Sequence, residues 1–307
     1  MSILSKPYFH DEQAAFDYLE GIIWPNGSIC PHCGCMERVY VLKGKSTRIG
    51  LKKCGECHKQ FTVTVGTVFE SSHVKLHKWL QAAYLLASSK KGISAHQLHR
   101  TLEVTYKTAW FMFHRLREAM RVAHIEPMGG EGVTVEADET YVGGLEKNKH
   151  RNKRNKAGRG PVCKEAVFSL VARGGKVRST HVEKVNAETL RPILNEQLHK
   201  DTRLMTDEAK VYSPLDKDFA EHHAVAHGIG EYVRGDVHTN TIENYFSIFK
   251  RGMKGTYQHC GKQHLKRYLA EFDFRYNERD IDDLSRSTIA LKGIVGKRLL
   301  YKQPSNT

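Results

Sequence analysis

The sequence predicts an α/β fold for residues 128–307, preceded by a small cysteine-rich module over residues 1–70 and a helical segment over residues 71–127. Three observations support this division. Five of the seven cysteines lie between positions 30 and 57. Apolar residues then recur at three- and four-residue steps, as on one face of an α-helix. From residue 133 onwards, strand-like and helix-like segments alternate, which is typical of an α/β layer.

The composition favours a polyanionic partner. The chain of 307 residues carries 48 Lys and Arg against 34 Asp and Glu, a formal net charge of +14. Nucleic acid suits this charge better than a membrane surface does. No run approaches the roughly 18 apolar residues that span a bilayer, and the N-terminus lacks the apolar core of a secretory signal. We therefore expect a soluble cytoplasmic protein with no membrane partner.

Two cysteine pairs in the first module predict a structural zinc site. Cys30 and Cys33 form CPHCG, Cys54 and Cys57 form CGEC, and residues 34–53 separate the pairs. Four thiolates so spaced can converge tetrahedrally on one zinc ion, which staples a module too small for its own core. A redox-active pair and metal-free thiols are the alternatives, and Cys35 is expected to be a spare thiol. Two further cysteines are expected to be small buried apolar residues: Cys163 and Cys260.

The remaining elements of the first module are short. An amphipathic helix is predicted around residues 16–23, and strands are predicted at VYVL, residues 39–42, and at QFTVTVGTVF, residues 60–69. These pieces alternate apolar and polar residues, which is the pattern of a half-buried strand. The zinc site would therefore lie in a small β-sheet.

The helical segment has the dimensions of a helix-turn-helix. A first helix has an apolar face from Leu76 to Ala87, and Ser94 with Gln97 forms a capping box for a second helix over 95–102. Thr105 can cap a third helix that runs to Met120. That helix carries basic side chains that could enter a DNA major groove, and an ordinary bundle with a solvated basic face is the alternative. The candidate DNA contacts are Lys107, Arg115 and Arg117.

Three carboxylates in the α/β region predict a catalytic metal site. Asp138 ends the strand VTVEAD and Asp207 ends the strand TRLMTD, so their side chains can converge at one sheet edge. Glu243 lies in a predicted helix over 240–253, and Lys250 follows two turns later on the same face. Two divalent ions held by such carboxylates activate the attacking oxygen and stabilise the leaving oxygen in phosphoryl transfer. Asn240, one turn before Glu243, is an alternative third ligand.

A strongly basic segment, KNKHRNKRNK at 147–156, lies between glycines and is predicted to be a loop. Such a loop would hold DNA phosphates without reading the sequence, and a solvated charged loop is the alternative. A group of three histidines is expected to lie in a strand and a loop and to make polar contacts: His222, His223 and His227. The candidate phosphate contacts are Lys147, Lys149, Arg151, Lys153, Arg154, Lys250 and Arg251.

Several motifs together resemble the zinc-ribbon DDE transposases of prokaryotic insertion sequences, which are related to Merlin elements. The resemblance covers residues 15–280 and is carried by CPHCG with CGEC, FTVTVGTVFESSHVKLHKWLQAAYLL, VEADETYVGG, TDEAKVY, YVRGDVHTNTIENYFSIFKRGMKGTYQH and HLKRYLAEFDFRYN. It implies an RNase H-like catalytic domain that cuts and joins DNA with two magnesium or manganese ions. Asp138, Asp207 and Glu243 match the acidic triad, and Lys250 matches the basic residue after it. Some members are described with Asn as the third residue, and Asn240 matches that position.

The resemblance also implies partners. These are the terminal inverted repeats of a transposon, a target DNA and further copies of the chain, as a homodimer or larger assembly that associates with the nucleoid. Two other functions remain open from the residues. A sequence-specific DNA-binding regulator would need the first two modules but not the triad, and an RNase H-like nuclease would cut without joining.

Overall fold

The structure is a computed structural model that describes residues 2–122, 126–144, 149–154, 164–209, 211–212, 218–225 and 233–301. Its contacts divide the chain into two units. The first unit comprises Met1–Arg121 and Glu278–Thr307, and the second comprises Val122–Asn277. Helix α8, Asp283–Lys292, packs against helix α2, Leu76–Ser88, of the same first unit. The sequence prediction assigned residues 278–307 to the catalytic domain, whereas these contacts group them with the first unit.

The cysteine-rich module consists of one helix and a three-stranded antiparallel sheet of order β1-β2-β3. Its elements are α1, Glu12–Ile23, β1, Val39–Val41, β2, Lys52–Cys54, and β3, Gln60–Phe61. The strand predicted over residues 60–69 is wrong beyond Phe61, since the chain turns at Gly66, where φ is +72°. The apolar residues that follow are buried differently: Val68 N donates to Ile294 O at 3.2 Å, so a distant segment of the same unit covers them.

The helices of the first unit begin where the sequence predicts. α3 spans Ala95–Leu102 and α4 spans Tyr106–Met120. Gln97 N donates to Ser94 Oγ at 3.1 Å, and Thr108 N donates to Thr105 Oγ1 at 3.2 Å. These bonds satisfy backbone groups that have no partner inside the helix, which is why the caps define the helix starts.

The second unit is built on a five-stranded mixed sheet with three helices. The strands are β4, Thr134–Val142, β5, Glu165–Ala172, β6, Val177–Val182, β7, Arg203–Asp207, and β8, Glu221–Val225, and the helices are α5, Ala187–Gln197, α6, Asn240–Gly252, and α7, Leu265–Asn277. The strand order in the sheet is β6-β5-β4-β7-β8. Strands β4, β5 and β6 form an antiparallel meander, whereas β7 and β8 run parallel to β4. Helix α5 connects β6 to β7, as a parallel connection requires.

Alternation along the strands gives the sheet two apolar faces. On one face Val135, Ala137 and Leu204 pack with Leu190 and Leu194 of α5. On the other face a second core contains residues of β5, α6 and α7, including Val167, Ile242, Phe249 and Phe272. Helices on both sides of a mixed sheet confirm the predicted α/β class. No helix of the described residues is long and apolar enough to cross a membrane.

Candidate active site and zinc ribbon

The register of the sheet brings two of the predicted carboxylates to the same level. β4 and β7 are adjacent and parallel, with Glu136 opposite Met205. Asp138 and Asp207 each lie two residues beyond this pair. Because side chains alternate along a strand, both lie on the face that carries Glu136. That face is the one on which α6 packs, since Ile242 N at the start of α6 donates to Glu136 Oε2 at 2.9 Å.

Helix α6 adds the third carboxylate. Glu243 lies in its first turn and lines a cleft of about 710 Å³ together with Asp138 and Glu139. Asn240 also lies in the first turn, but among the described residues it does not contribute to the lining of this cleft. Asp207 lines a different space, of about 390 Å³, with Glu208 and Tyr212.

The charges of these carboxylates affect one another. The pKa of Asp138 is raised from 3.8 to about 7, first by burial and then by the negative charges of Glu139, Asp207 and Glu243. A hydrogen bond from Glu139 N to Asp138 Oδ1, 2.7 Å long, opposes the rise. Burial also raises the pKa of Glu139, whose carboxylate accepts a 2.7 Å bond from Tyr212 Oη. Such repulsion between buried acids indicates a site that accepts positive charge.

The donor chemistry of the cleft fits hard divalent ions, because magnesium and manganese prefer carboxylate oxygens. Among the described residues, only a cysteine cluster brings three or more possible ligand atoms within 4.8 Å of one another. The carboxylates of Asp138, Asp207 and Glu243 do not form such a group.

The far side of the cleft is cationic. Lys250, Arg251 and Lys254 belong to its lining with Phe246 and Ser247. The Lys250 ammonium lies 5.9 Å from the centroid of the Phe246 ring, and Arg251 Nε donates to Ser247 O at 3.1 Å. Lys254 lies in a π-helical turn, Met253–Tyr257, that continues α6. The cleft thus has an acidic end and a basic end, which suits a metal-bound phosphodiester.

The four predicted zinc ligands come together in the first unit. The sulfur atoms of Cys30, Cys33, Cys54 and Cys57 all lie within 4.8 Å of one another. Cys30 Sγ is 3.6 Å from Cys57 Sγ, and Cys33 Sγ is 3.5 Å from Cys54 Sγ. A tetrahedral site with Zn–S bonds of about 2.3 Å has sulfur atoms about 3.8 Å apart, so the cluster fits zinc. Cys35 is not part of the cluster formed by the described residues.

Backbone groups prepare one ligand for the metal. Glu56 N approaches Cys54 Sγ at 3.4 Å. Hydrogen bonds from backbone groups at Cys57 and Glu56 lower the pKa of Cys54, although burial opposes them, whereas the pKa of the neighbouring Cys33 thiol is raised. The thiolate is the form that binds zinc. The four-cysteine shell is closed, so the zinc has a structural role.

Comparisons with known proteins match the two regions that carry these sites. Residues 129–277 match the ISXO2-like transposase domain, and residues 10–60 match the transposase zinc-ribbon domain. An uncharacterized protein in transposable element ISH50 of Halobacterium salinarum is 33% identical over 278 residues, which cover 87% of this chain and 91% of that protein. The chain belongs to the ISXO2-like transposase family. The resemblance to zinc-ribbon transposases is thereby confirmed.

Two further comparisons are more distant from this transposase. An uncharacterized transposase-like protein of Haemophilus influenzae is 28% identical over 106 residues, which cover 34% of this chain and 85% of that protein. One chain of the cryo-electron microscopy structure of a simian T-cell lymphotropic virus intasome with PP2A regulatory subunit B56 gamma aligns with 57% of this chain and 67% of its own length. That alignment has 14% identity and a TM-score of 0.28, too low to support an argument about function.

The predicted DNA contacts of helix α4 are only partly accessible in this transposase. Lys107 is exposed. Arg115 is only 5% exposed and donates from Nε to Leu299 O at 3.2 Å and from Nη1 to Glu70 O at 3.2 Å. Arg117 is 2% exposed, and its guanidinium lies 5.6 Å from the centroid of the Phe113 ring. The prediction that Arg115 and Arg117 face DNA is therefore corrected, because both arginines are held inside the protein.

The basic segment at 147–156 is described in part. Arg151 and Arg154 are exposed, and Arg154 Nε donates to Lys149 O at 2.9 Å. Residues 151–153 form a short 3-10 helix, and for Lys153 only the backbone is described. Lys147 lies outside the described residues.

The other histidine and cysteine predictions concern polar and apolar contacts. His222 Nε2 is 2.9 Å from Thr206 Oγ1, and His223 Nε2 is 3.2 Å from Glu221 Oε2, so both make the polar contacts expected for β8. Cys260 is partly buried against the core of α6 and α7. His227 and Cys163 lie outside the described residues.

Sequence reasoning missed one residue of the cleft lining, Lys254, and one buried residue close to the triad, Glu136. Lys254 has the same spacing signal as Lys250, since it follows one helical turn later, but the π-helical turn could not be predicted from the sequence. Glu136 lies two residues before Asp138 on β4. In the structure its side chain is completely buried and contacts α6. An acidic residue in an otherwise apolar strand was the available signal.

Proposed function

We propose that this transposase binds the ends of its own element and, with divalent metal, cuts one DNA strand and joins the resulting 3′ hydroxyl to a target. The observation that carries the proposal is the cleft in which Asp138 and Glu243 face Lys250, with Asp207 level with Asp138 on the adjacent strand. The second unit would accordingly be an RNase H-like domain. The net charge of +14 supports binding to DNA as substrate.

The triad would hold two magnesium or manganese ions through the carboxylates of Asp138, Asp207 and Glu243. When bound, such ions polarise a phosphodiester and favour ionisation of the attacking water or hydroxyl. We assign the third position to Glu243 and not to Asn240, because Glu243 lines the cleft with Asp138.

The protein's own groups would govern charge and orientation. The pKa of Asp138 lies near 7, so in the metal-free site this carboxyl holds a proton at lower pH. Metal ligation requires the carboxylate, and metal affinity should therefore increase as pH rises through about 7. Lys250, Arg251 and Lys254 would bind the phosphates on either side of the reacting bond, and no covalent protein nucleophile is needed.

Binding of the terminal repeats is assigned to the first unit. Its zinc ribbon would be a rigid platform, and Lys107 at the start of α4 would contact a phosphate or base edge. The exposed residues of the basic segment, Arg151 and Arg154, would add contacts that do not depend on sequence. Because two ends must be joined to one target, we propose that the working form is a homodimer or a larger assembly on DNA.

A single assay tests this proposal. The full chain is incubated with magnesium and a labelled duplex that carries the element's end, and nicked and joined products are separated on a denaturing gel. Asp207→Asn should abolish both products while end binding is retained. Asp201→Asn is the matched control, because Asp201 is an exposed carboxylate just before the other end of β7.

Each outcome has a distinct meaning. Nicks without joined products would favour a nuclease. Binding without either product would favour a regulator. Full activity of Asp207→Asn would refute the assignment of the triad.

A further inference from the structure

Glu136 is a completely buried carboxylate that the proposed chemistry does not use directly. It lies on β4 two residues before Asp138, and its exposed fraction is 0%. Burying an ionised carboxylate is costly unless hydrogen bonds and a positive charge compensate it. The contacts of Glu136 therefore indicate what this residue does.

Those contacts join β4 to the start of α6. Glu136 Oε1 accepts a 2.9 Å bond from Thr241 Oγ1, and Oε2 accepts a 2.9 Å bond from Ile242 N. Ile242 N belongs to the first turn of α6, where backbone N–H groups have no partner within the helix. A negative charge is also favourable at the positive end of the helix dipole. A single carboxylate thus fixes the turn that carries Glu243 to the strand that carries Asp138.

Arg173, which directly follows β5, completes this network. Its Nε donates to Glu136 Oε1 at 2.7 Å. Its Nη1 donates to Asp236 O at 2.7 Å, and its Nη2 donates to His238 O at 2.8 Å. The chain that leads into α6 is therefore held by the same ion pair.

His238 also contacts this ion pair. Its Nδ1 lies 3.1 Å from Arg173 Nη2 and 3.4 Å from Glu136 Oε1. Asn240 N also points to this nitrogen, at 3.4 Å. The backbone of Asn240 is thereby part of the anchor, which agrees with a structural role for this residue.

We propose that Glu136 is a positioning residue that sets the rotation of α6 about its axis, so that Glu243 faces Asp138 across the cleft. The inference rests on the proposed function in that the positioned groups are the metal ligands. A carboxylate that only stabilised the fold would affect stability without a selective effect on metal binding. The two roles are therefore separable by experiment.

The test compares Glu136→Gln with a matched variant in the full chain. The amide keeps the shape of the side chain but turns one acceptor into a donor, opposite groups that already donate. We expect Mn²⁺ affinity to fall about 10- to 100-fold, the range found when a group that orients metal ligands is removed. Mn²⁺ binding is measured by electron paramagnetic resonance of the free ion, and hydrogen exchange of the Ile242 amide should accelerate at least about tenfold.

Asp218→Asn is the matched control. Asp218 accepts hydrogen bonds from Arg191 Nε at 2.6 Å and from Arg191 Nη2 at 2.7 Å, and it belongs to the same unit but to neither α6 nor the cleft. This variant should lose stability while its Mn²⁺ affinity stays within about twofold of the wild type. Thr241→Val provides a milder change if Glu136→Gln does not fold, since it removes one hydrogen bond of Glu136 and should weaken Mn²⁺ binding by about threefold to tenfold.

The results separate the two proposals. Unchanged Mn²⁺ affinity and Ile242 exchange in the foldable variants would overturn the role of Glu136, as would an equal loss of affinity in Asp218→Asn. If the wild type neither binds Mn²⁺ nor cuts DNA, the proposed function fails. Faster exchange confined to the first turn of α6 in Glu136→Gln would still support the positioning role in that case.

Discussion

Replacing Asp138 by Asn should stabilise the metal-free protein at neutral and alkaline pH. The pKa of Asp138 is raised to about 7 by burial and by the charges of Glu139, Asp207 and Glu243. In the folded, metal-free protein, ionisation of Asp138 is therefore unfavourable. An amide at this position has the same shape, keeps an oxygen to accept from Glu139 N, and carries no charge.

The direction of this change in stability follows from the pKa values of the carboxyl in the unfolded and the folded chain. Below about pH 3.8 Asp138 is protonated in the folded and the unfolded chain, so wild type and variant should be similarly stable. As pH rises from 3.8 towards 7, the unfolded chain releases the proton while the folded chain retains it, and the wild type loses stability. Above about pH 7 the loss is complete.

The size of the effect follows from the same shift. A rise from 3.8 to about 7 corresponds to at most about 4 kcal/mol, at 1.36 kcal/mol for each pH unit. Water and counterions in the open cleft screen part of the repulsion, so we expect Asp138→Asn to gain about 2 to 4 kcal/mol at pH 8. Magnesium should reverse the order, because it stabilises only the protein that binds it.

The assay has to measure the unfolding of the second unit separately from that of the first. Trp24, Trp79 and Trp110 are the three tryptophans of the chain, and all lie in the first unit. Their fluorescence therefore serves as an internal control during urea denaturation in EDTA. Pulse labelling by hydrogen exchange of β4 and β5 reports the unfolding of the second unit between about pH 4 and pH 9.

The expected result is a pair of stability curves that coincide at the acidic end and diverge above about pH 4. The tryptophan signal should be the same for both proteins. Curves that remain parallel across this range, or a variant that is less stable than the wild type at pH 8, would refute the proposed electrostatic cause.

Three further predictions concern zinc, the third carboxylate and DNA binding. Cys54→Ser should lower the zinc content well below one ion per chain and should increase hydrogen exchange in residues 39–61, whereas Cys35→Ser should keep its zinc. Equal zinc loss in both variants would contradict the assignment of four cysteine ligands. Glu243→Gln should reduce the single-turnover rate of strand cleavage at least about a hundredfold, and Asn240→Ala should reduce it less than about tenfold. A larger loss in Asn240→Ala than in Glu243→Gln would make Asn240 the ligand. Lys107→Gln should lower the slope of log affinity against log salt by about one in end-binding titrations, and an unchanged slope would remove Lys107 from the interface.

The features that the sequence predicted correctly are local. The zinc ligands occur as pairs three residues apart, and the caps of α3 and α4 bond to backbone groups three residues on. Interactions of this range follow from the chain's own geometry and need no partner from elsewhere. The strands that carry Asp138 and Asp207 could also be predicted, since an apolar pattern precedes each of them. Asp207 ends β7 as predicted, whereas β4 continues beyond Asp138 to Val142, so the predicted end of that strand is wrong.

The missed features depend on partners distant in the sequence. β6, VRSTHV, shows no apolar alternation, because its inner groups are polar and Ser179 bonds to Asp273 on α7. Residues 60–69 alternate like a strand, yet the segment after Phe61 turns and is covered by residues near Ile294. Arg115 resembles a solvated basic residue until the carbonyl groups of Glu70 and Leu299 are brought to it.

By itself, the sequence predicted the metal chemistry of this protein, because thiolates and carboxylates are metal donors whose spacing can be recognised along the chain. The tertiary structure alone decided how those donors are oriented. It placed Asp207 level with Asp138 through the register of β4 and β7, and it turned Glu243 and not Asn240 towards the cleft. It also buried Glu136 against the first turn of α6, because only long-range packing can hold a charged side chain between a strand and a helix more than a hundred residues apart.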